Sequence, residues 1–241
     1  MISLRRLSIQ TRWEFVLNAR NSEQALLLVI IPILILFVMT STSIIGGEST
    51  GIEVALATVL TVSTIAAGFT SLAIATAFER RSDTLVFLGT TNLTRMEVVA
   101  SKSLGSLLLA LFAGIFTFIA ALFLGWTPSA AAFSIPIWIA LGVFSVSGFA
   151  YLLAGTVRAE AVLAISNAIF VIVLMFGGVI FTFGSSFTTM LEFLPPLALK
   201  TVIGTSISTG GLGANVMQAI AVLIAWGILG HLLASRFFKW R

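Results

Sequence analysis

The chain has no cysteine, one histidine and one tyrosine in its 241 residues. Without cysteine it forms no disulfide and offers no thiolate to a metal. One histidine, His231, cannot make a zinc site, so no metal is expected. Charge is the scarcest property. Asp, Glu, Lys and Arg together make up 9% of the chain, where a soluble domain carries roughly 25%. A water-soluble chain of this length could not cover its surface with so few. Hydrophobic residues make up 59%, and the mean hydropathy is +1.13. Lipid is therefore expected to be part of the solvent. The net charge is +4, but the cations are strung between apolar runs rather than gathered on a soluble face. Nucleic acid is not an expected partner.

A helix that crosses the hydrocarbon needs about 20 mostly apolar residues. Six stretches qualify: 24–45, 54–78, 103–126, 134–157, 161–183 and 215–235. None holds an acid, a lysine or an arginine. The expected fold is all-α and integral to the membrane, one transmembrane domain over 1–241. Twelve of the thirteen basic residues lie before the first run, between the second and third, between the fourth and fifth, or after the sixth. Lys200 is the exception. The positive-inside rule then predicts both termini in the cytoplasm and a multi-pass protein of the plasma (inner) membrane. Glu48, Glu53 and Glu192 would face outward. Residues 1–23 are too polar, and the run that follows too long, for a signal peptide. Ile2, Ile9, Trp13 and Val16 share one side at 100° per residue, while Arg20 would have to snorkel. That favours an interfacial helix over a disordered basic arm. Trp126 and Trp138 at outer span ends, with Trp13 and Trp240 at inner ones, read as an aromatic belt.

Ionisable groups inside a membrane are the usual mark of a pump or a gradient-driven carrier. Only His231 comes close, near the inner end of the sixth run. With no carboxylate at its depth it reads as a packed histidine at a helix C-terminus. Ser186 and His231 do not make a hydrolase pair, since they fall roughly 24 Å apart in depth at 1.5 Å per residue. No Walker-type phosphate loop is present, so no ATP site of that kind is expected in this chain. Asn92-Leu93-Thr94 is a sequon on the side where glycosylation does not occur. In the second run Thr61, Thr64, Gly68, Ser71 and Ala75 recur on one face, as do Gly148 and Gly155 in the fourth. Such faces serve close helix packing, and could also line a path. Asn167, Asn215 and Gln218 are further candidates for internal polar contacts.

The segment 79–102, ERRSDTLVFLGTTNLTRMEVVASK, carries the most information. Arg80 and Arg81 suit the negative end of a helix. Thr94-Arg95-Met96-Glu97 is a capping-box pattern that starts one. Leu85, Val86, Phe87 and Leu88 are apolar where water is expected. They form either a docking surface for a soluble partner or a face that lies back on the bilayer.

This segment resembles the cytoplasmic loop of ABC-2 type exporter permeases, the membrane subunits of ATP-driven exporters of the daunorubicin-resistance kind. Glu79-Arg80 fit its opening. Thr84-Leu85 fit its Gly-Thr-Leu step, with Asp83 in place of Gly. Leu88, Thr91, Arg95, Glu97 and Lys102 fit the remainder. Asn92 stands where proline is usual and Ser101 where glycine is usual. The basic N-terminal segment is similar to the family's elbow helix, and Leu194-Pro195-Pro196 to its Leu-Pro element. The resemblance implies a cytoplasmic coupling helix between spans two and three, and short re-entrant helices over 184–213, where Gly210, Gly211 and Gly213 would break the chain. It implies a separate ABC ATPase subunit that holds ATP and Mg, with no cofactor on this chain, and a second permease, identical or paralogous. Glu79, Arg80, Thr84, Leu85, Leu88, Thr94, Arg95, Glu97 and Lys102 would then make the ATPase-coupling loop. The function expected is export of a hydrophobic or amphiphilic substrate, with catalysis left to the partner. Two alternatives are a carrier driven by an ion gradient and a non-transporting scaffold for an ATPase. The first calls for an intramembrane carboxylate or an inverted repeat, neither of which the sequence displays.

Overall fold

The computed structural model describes residues 3–20, 26–41, 51–181, 184–208 and 214–238. In chain order these form α1 (Leu4–Arg20), then α2, a π-helical turn Leu26–Ile30 running into Ile31–Ser41. Next come α3 (Ile52–Arg81), α4 (Thr84–Gly89), α5 (Arg95–Phe123), α6 (Ala130–Thr156) and α7 (Ala159–Phe176). The short α8 (Ser185–Leu191) and α9 (Pro195–Ser208) precede α10 (Ala214–Phe237). No strand occurs among the described residues.

Five helices, α3, α5, α6, α7 and α10, are long and apolar enough to cross a membrane. The protein is therefore an all-α, multi-pass membrane protein. The first expected span appears as α2, a shorter apolar helix. The remainder of that span, 24–25 and 42–45, lies outside the described residues. So do Ile2, Glu48, Gly210, Gly211, Gly213, Lys239, Trp240 and Arg241.

Where helix ends differ from the sequence expectation, local chemistry explains it. α5 starts eight residues before 103 because the Thr94–Glu97 capping box is formed. It stops at Phe123, and Gly125 turns the chain at φ 91°. α7 ends at Phe176 rather than 183, followed by Gly177 and Gly178, the latter at φ 71°. Only glycine takes such angles without strain. α8 and α9 are too short to span, in keeping with the short helices expected before the last span.

The bundle is built around α3. Every residue from Ala55 to Ile65 is buried, and α2, α5, α6, α7 and α9 all pack against this helix. A helix apolar on every side belongs at a centre. Its middle, Ala66–Ser71, is a π-helical turn. The Thr61 and Thr64 hydroxyls donate to the carbonyls of Ala57 (2.8 Å) and Leu60 (2.7 Å), so these two buried threonines are satisfied within their own helix. Ser71 is half-buried.

α6 and α10 form the most extensive helix pair. A Cβ on Gly148 would collide with the backbone of Gly230 and His231, and one on Gly155 with Phe238. These glycines let two backbones touch. His231 is wedged into the crossing. Its ring stacks on Phe144 with centroids 5.0 Å apart, and Nδ1 lies 2.9 Å from the Gly227 carbonyl. It is the packed histidine that the sequence implied.

The aromatic belt needs correction. Trp126 is 4% exposed and packs on Phe118, so it faces the core. Trp138 is half-buried, and its indole donates to the Ser206 hydroxyl at 2.7 Å. Trp13 is exposed. Asn167, Asn215 and Gln218 all lie on exposed faces of the single chain rather than at internal contacts.

Candidate functional site at the basic end of the bundle

The segment 79–102 leaves α3 and returns into α5 at the end of the bundle that also carries α1. At the C-terminus of α3, Arg80 donates to the Val157 carbonyl at the end of α6. Arg81 pairs with Glu160 in the first turn of α7. Both members of that pair are exposed, and such pairs contribute little. Asp83 then sits at φ 57°, in the left-handed region. This is the position where the family step has glycine, which takes that angle freely; aspartate is one of the few other residues that tolerates it.

α4 follows and splits the apolar patch in two. Leu85 is buried at 3% exposure, whereas Phe87 is 69% exposed. Leu88 is half-buried, and Thr84, Thr94 and Arg95 are exposed. Between α4 and the start of α5 lies a concavity of about 260 Å³, lined by Leu85, Gly89, Leu93, Arg95 and Val98 among others. Met96 stands exposed beside it.

Below this tip the charges turn inward. Glu97 is fully buried. Its Oε2 accepts from the Thr94 backbone N–H at 2.7 Å, and the Thr94 hydroxyl accepts from the Glu97 N–H at 3.2 Å, which closes the capping box. Its Oε1 accepts from the Ser3 N–H at 2.7 Å and from Arg6 Nη2 at 2.9 Å. One carboxylate therefore caps α5 and also holds the first turn of α1. A buried carboxylate needs such a set of donors to stay charged.

Five residues further along α5, Lys102 is 3% exposed. Its ammonium lies 3.0 Å from both carboxylate oxygens of Glu14 and pairs with Glu79 as well. Gln10 donates to Glu14 at 2.9 Å. α1 thus presents Arg6, Gln10 and Glu14 to the protein, a stripe at four-residue steps. Gly105 admits Glu14, since a Cβ there would come within 2.7 Å of the Glu14 Cβ. Beside the cluster the Tyr151 hydroxyl donates to the Val99 carbonyl at 2.9 Å and lies 2.8 Å from the Ser103 hydroxyl. This ties α6 to the same point.

The structure thus brings together Glu79 and Lys102, the two ends of the loop, and joins both to α1. It places Glu97 against α1 and Arg80 against α6. Thr84, Leu88 and Arg95 stay in the outer part of the loop. The sequence reading missed Arg6, Gln10, Glu14 and Tyr151. The signal available was the Arg6-Gln10-Glu14 stripe, which starts beside Trp13 on the helical wheel and turns away from Ile9 and Val16 toward Glu14. Among the described residues of the cluster, Glu14, Glu79 and Glu97 are all engaged by cations or backbone donors. What the arrangement can do is hold four helices, α1, α3, α5 and α6, and a loop in one fixed relation.

Against known families, residues 5–186 match the model described as ABC-2 type transporter. The match runs from α1 into α8 and includes the whole site. No curated protein matches the chain.

Proposed function

The chain belongs to the ABC-2 type transporter family, and from that premise we propose that it is the permease subunit of an ATP-driven exporter of the plasma (inner) membrane. A separate ATPase subunit docks on α4 and the concavity beneath it, with Phe87, Met96 and Arg95 as its contacts. ATP and Mg stay on that partner. A second permease completes the pathway, and the basic end with both termini lies in the cytoplasm, as the positive charge there favours. The spans carry almost no charge, which suits a hydrophobic or amphiphilic substrate better than an ionic one.

The observation that carries this reading is the clamp at the root of the loop. Lys102 holds Glu79 and Glu14, and Glu97 holds Arg6. A push on α4 cannot be absorbed by the loop opening at its base, because the two ends of the loop are bonded to each other. It passes to α3 and α5 together, with α1 following. In this reading Glu79, Glu97 and Lys102 transmit force and do not touch substrate, while Arg80 carries the same motion to α6.

The test targets the exposed tip and leaves the clamp intact. The tagged permease is purified from its own membranes, and vanadate-sensitive ATPase activity that accompanies it is measured. In the double variant Phe87→Glu, Arg95→Glu that activity is expected to fall more than about tenfold, since losing a hydrophobic anchor and reversing a charge at an interface typically costs several kcal/mol. Undiminished ATPase in the purified variant, at normal permease abundance, would sink the assignment.

A further inference from the structure

α1 and α5 also flank a concavity clear of the ion cluster. They leave a groove of about 530 Å³ whose walls include Leu7, Thr11 and Phe15 from α1 and Leu104 and Leu108 from α5. The walls are almost wholly apolar. The groove continues as an exposed ridge of α5 through Phe112, Phe116 and Ile119. From Leu104 to Ile119 that ridge is roughly 22 Å long at 1.5 Å per residue. Phe15 and Phe112 meet edge to face at 6.0 Å and Phe112 and Phe116 at 5.0 Å, so the wall is continuous.

The outer rim is of different character. Arg5 and Arg12 are seven residues apart on one side of α1, with Ser8 between them. Both arginines are exposed, and neither has an acidic partner among the described residues. The acid of this helix, Glu14, is buried on the opposite flank with Lys102. On the groove wall, Thr11 is 8% exposed, and its hydroxyl has no hydrogen-bond partner among the described residues. A buried hydroxyl is normally paired. The groove therefore combines a long apolar wall, a buried hydroxyl without a partner among the described residues, and the cation of Arg12 on its lining, with Arg5 two turns away on the same side of α1.

We propose that this groove is a binding site for one anionic phospholipid. An acyl chain lies along Leu104, Leu108 and Phe112, the ester region meets Thr11, and the phosphate head sits between Arg5 and Arg12. A zwitterionic lipid satisfies the wall but leaves the rim cations uncompensated, so the site discriminates by headgroup charge. The bound lipid fills the space between α1 and α5 and steadies α1 from the side opposite its ion pairs.

The test uses the full chain in nanodiscs of phosphatidylcholine and phosphatidylglycerol in equal parts. The protein is then extracted, and retained lipid per chain is counted by native mass spectrometry. Phosphatidylglycerol is expected to be retained in preference. Juxtamembrane cations contribute about fivefold each in affinity for anionic lipid, so Arg5→Gln with Arg12→Gln is expected to lower retention by about twenty-five-fold. Leu108→Trp fills the groove, keeps both cations, and is expected to abolish retention. Arg236→Gln, in the last turn of α10 and not on the groove lining, leaves it unchanged. Equal loss with Arg236→Gln would mean diffuse attraction and overturn the site, as would full retention in Leu108→Trp. The chain has no cysteine, so a single Leu104→Cys also reports on the groove. Cross-linking of that variant to a second copy would assign the groove to a protein contact instead.

Discussion

At the scale of single residues, the decisive group is Lys102. Among the described residues it is the one cation in contact with two carboxylates, buried Glu14 and half-buried Glu79. Removing one partner of a buried ionic set leaves uncompensated charge and costs roughly 3–5 kcal/mol. Lys102→Met is therefore expected to lower the thermal melting point of the detergent-solubilised protein sharply. Adding Glu14→Gln to Lys102→Met removes one of the stranded charges and should recover part of the loss. If the two substitutions simply add, the cluster is not a coupled unit. The sequence made half of this legible. The capping box was readable because Thr94 and Glu97 are local to each other. Glu79 and Lys102 stood out because they bound the informative loop. Glu14 and Arg6 did not, because their partners are 88 and 91 residues away. No local pattern says which of several polar residues on an interfacial helix faces protein.

At the scale of elements, the apolar runs were legible because length and composition alone decide what lipid accepts. Their ends were less so. α5 begins within its cap rather than at its first apolar residue, and glycine shortens α7. The inward turn of Trp126 was hidden because a tryptophan near a span end has the same composition whichever way it faces. The small-residue faces, by contrast, mark true close approaches. Gly148→Ala in α6 would drive a methyl into the backbone of Gly230 and His231. Backbone cannot repack as a side chain can, so a loss of about 1–3 kcal/mol or more is expected. Gly114→Ala in α5 is the matched control. Its new methyl would meet only Ile139 and Leu60 side chains at 3.6 and 3.8 Å, ordinary contact distances. It also removes a mid-helix glycine, which favours the helix by roughly 0.5–1 kcal/mol. Melting curves of the two variants should move in opposite directions or differ by several degrees. Equal behaviour would mean that the α6–α10 crossing is looser than the structure has it.

At the scale of the whole molecule, burial is uneven. α3 is 78% buried over its most apolar stretch, and α7 only 17%. On that open face α7 carries Asn167, an amide amid Leu163, Ile165, Ile169 and Ile172. An amide gains more from a protein partner than from lipid. In the proposed pair of permeases it belongs at the contact between copies. In membranes, Asn167→Cys is expected to cross-link into a dimer under mild oxidation, while Leu232→Cys on the exposed face of α10 is not. Cross-linking of both to the same extent would mean random collision. The turn Ala66–Ser71 contains one residue more than an α-helix would use. That surplus acts like a wrinkle in a carpet. If it shifts along α3, the residues it passes rotate by about 100° and slide by about 1.5 Å, while the hydrogen-bond count is kept. The helix that meets most of its neighbours thus has built-in play, midway between the clamp at one end and the short helices at the other.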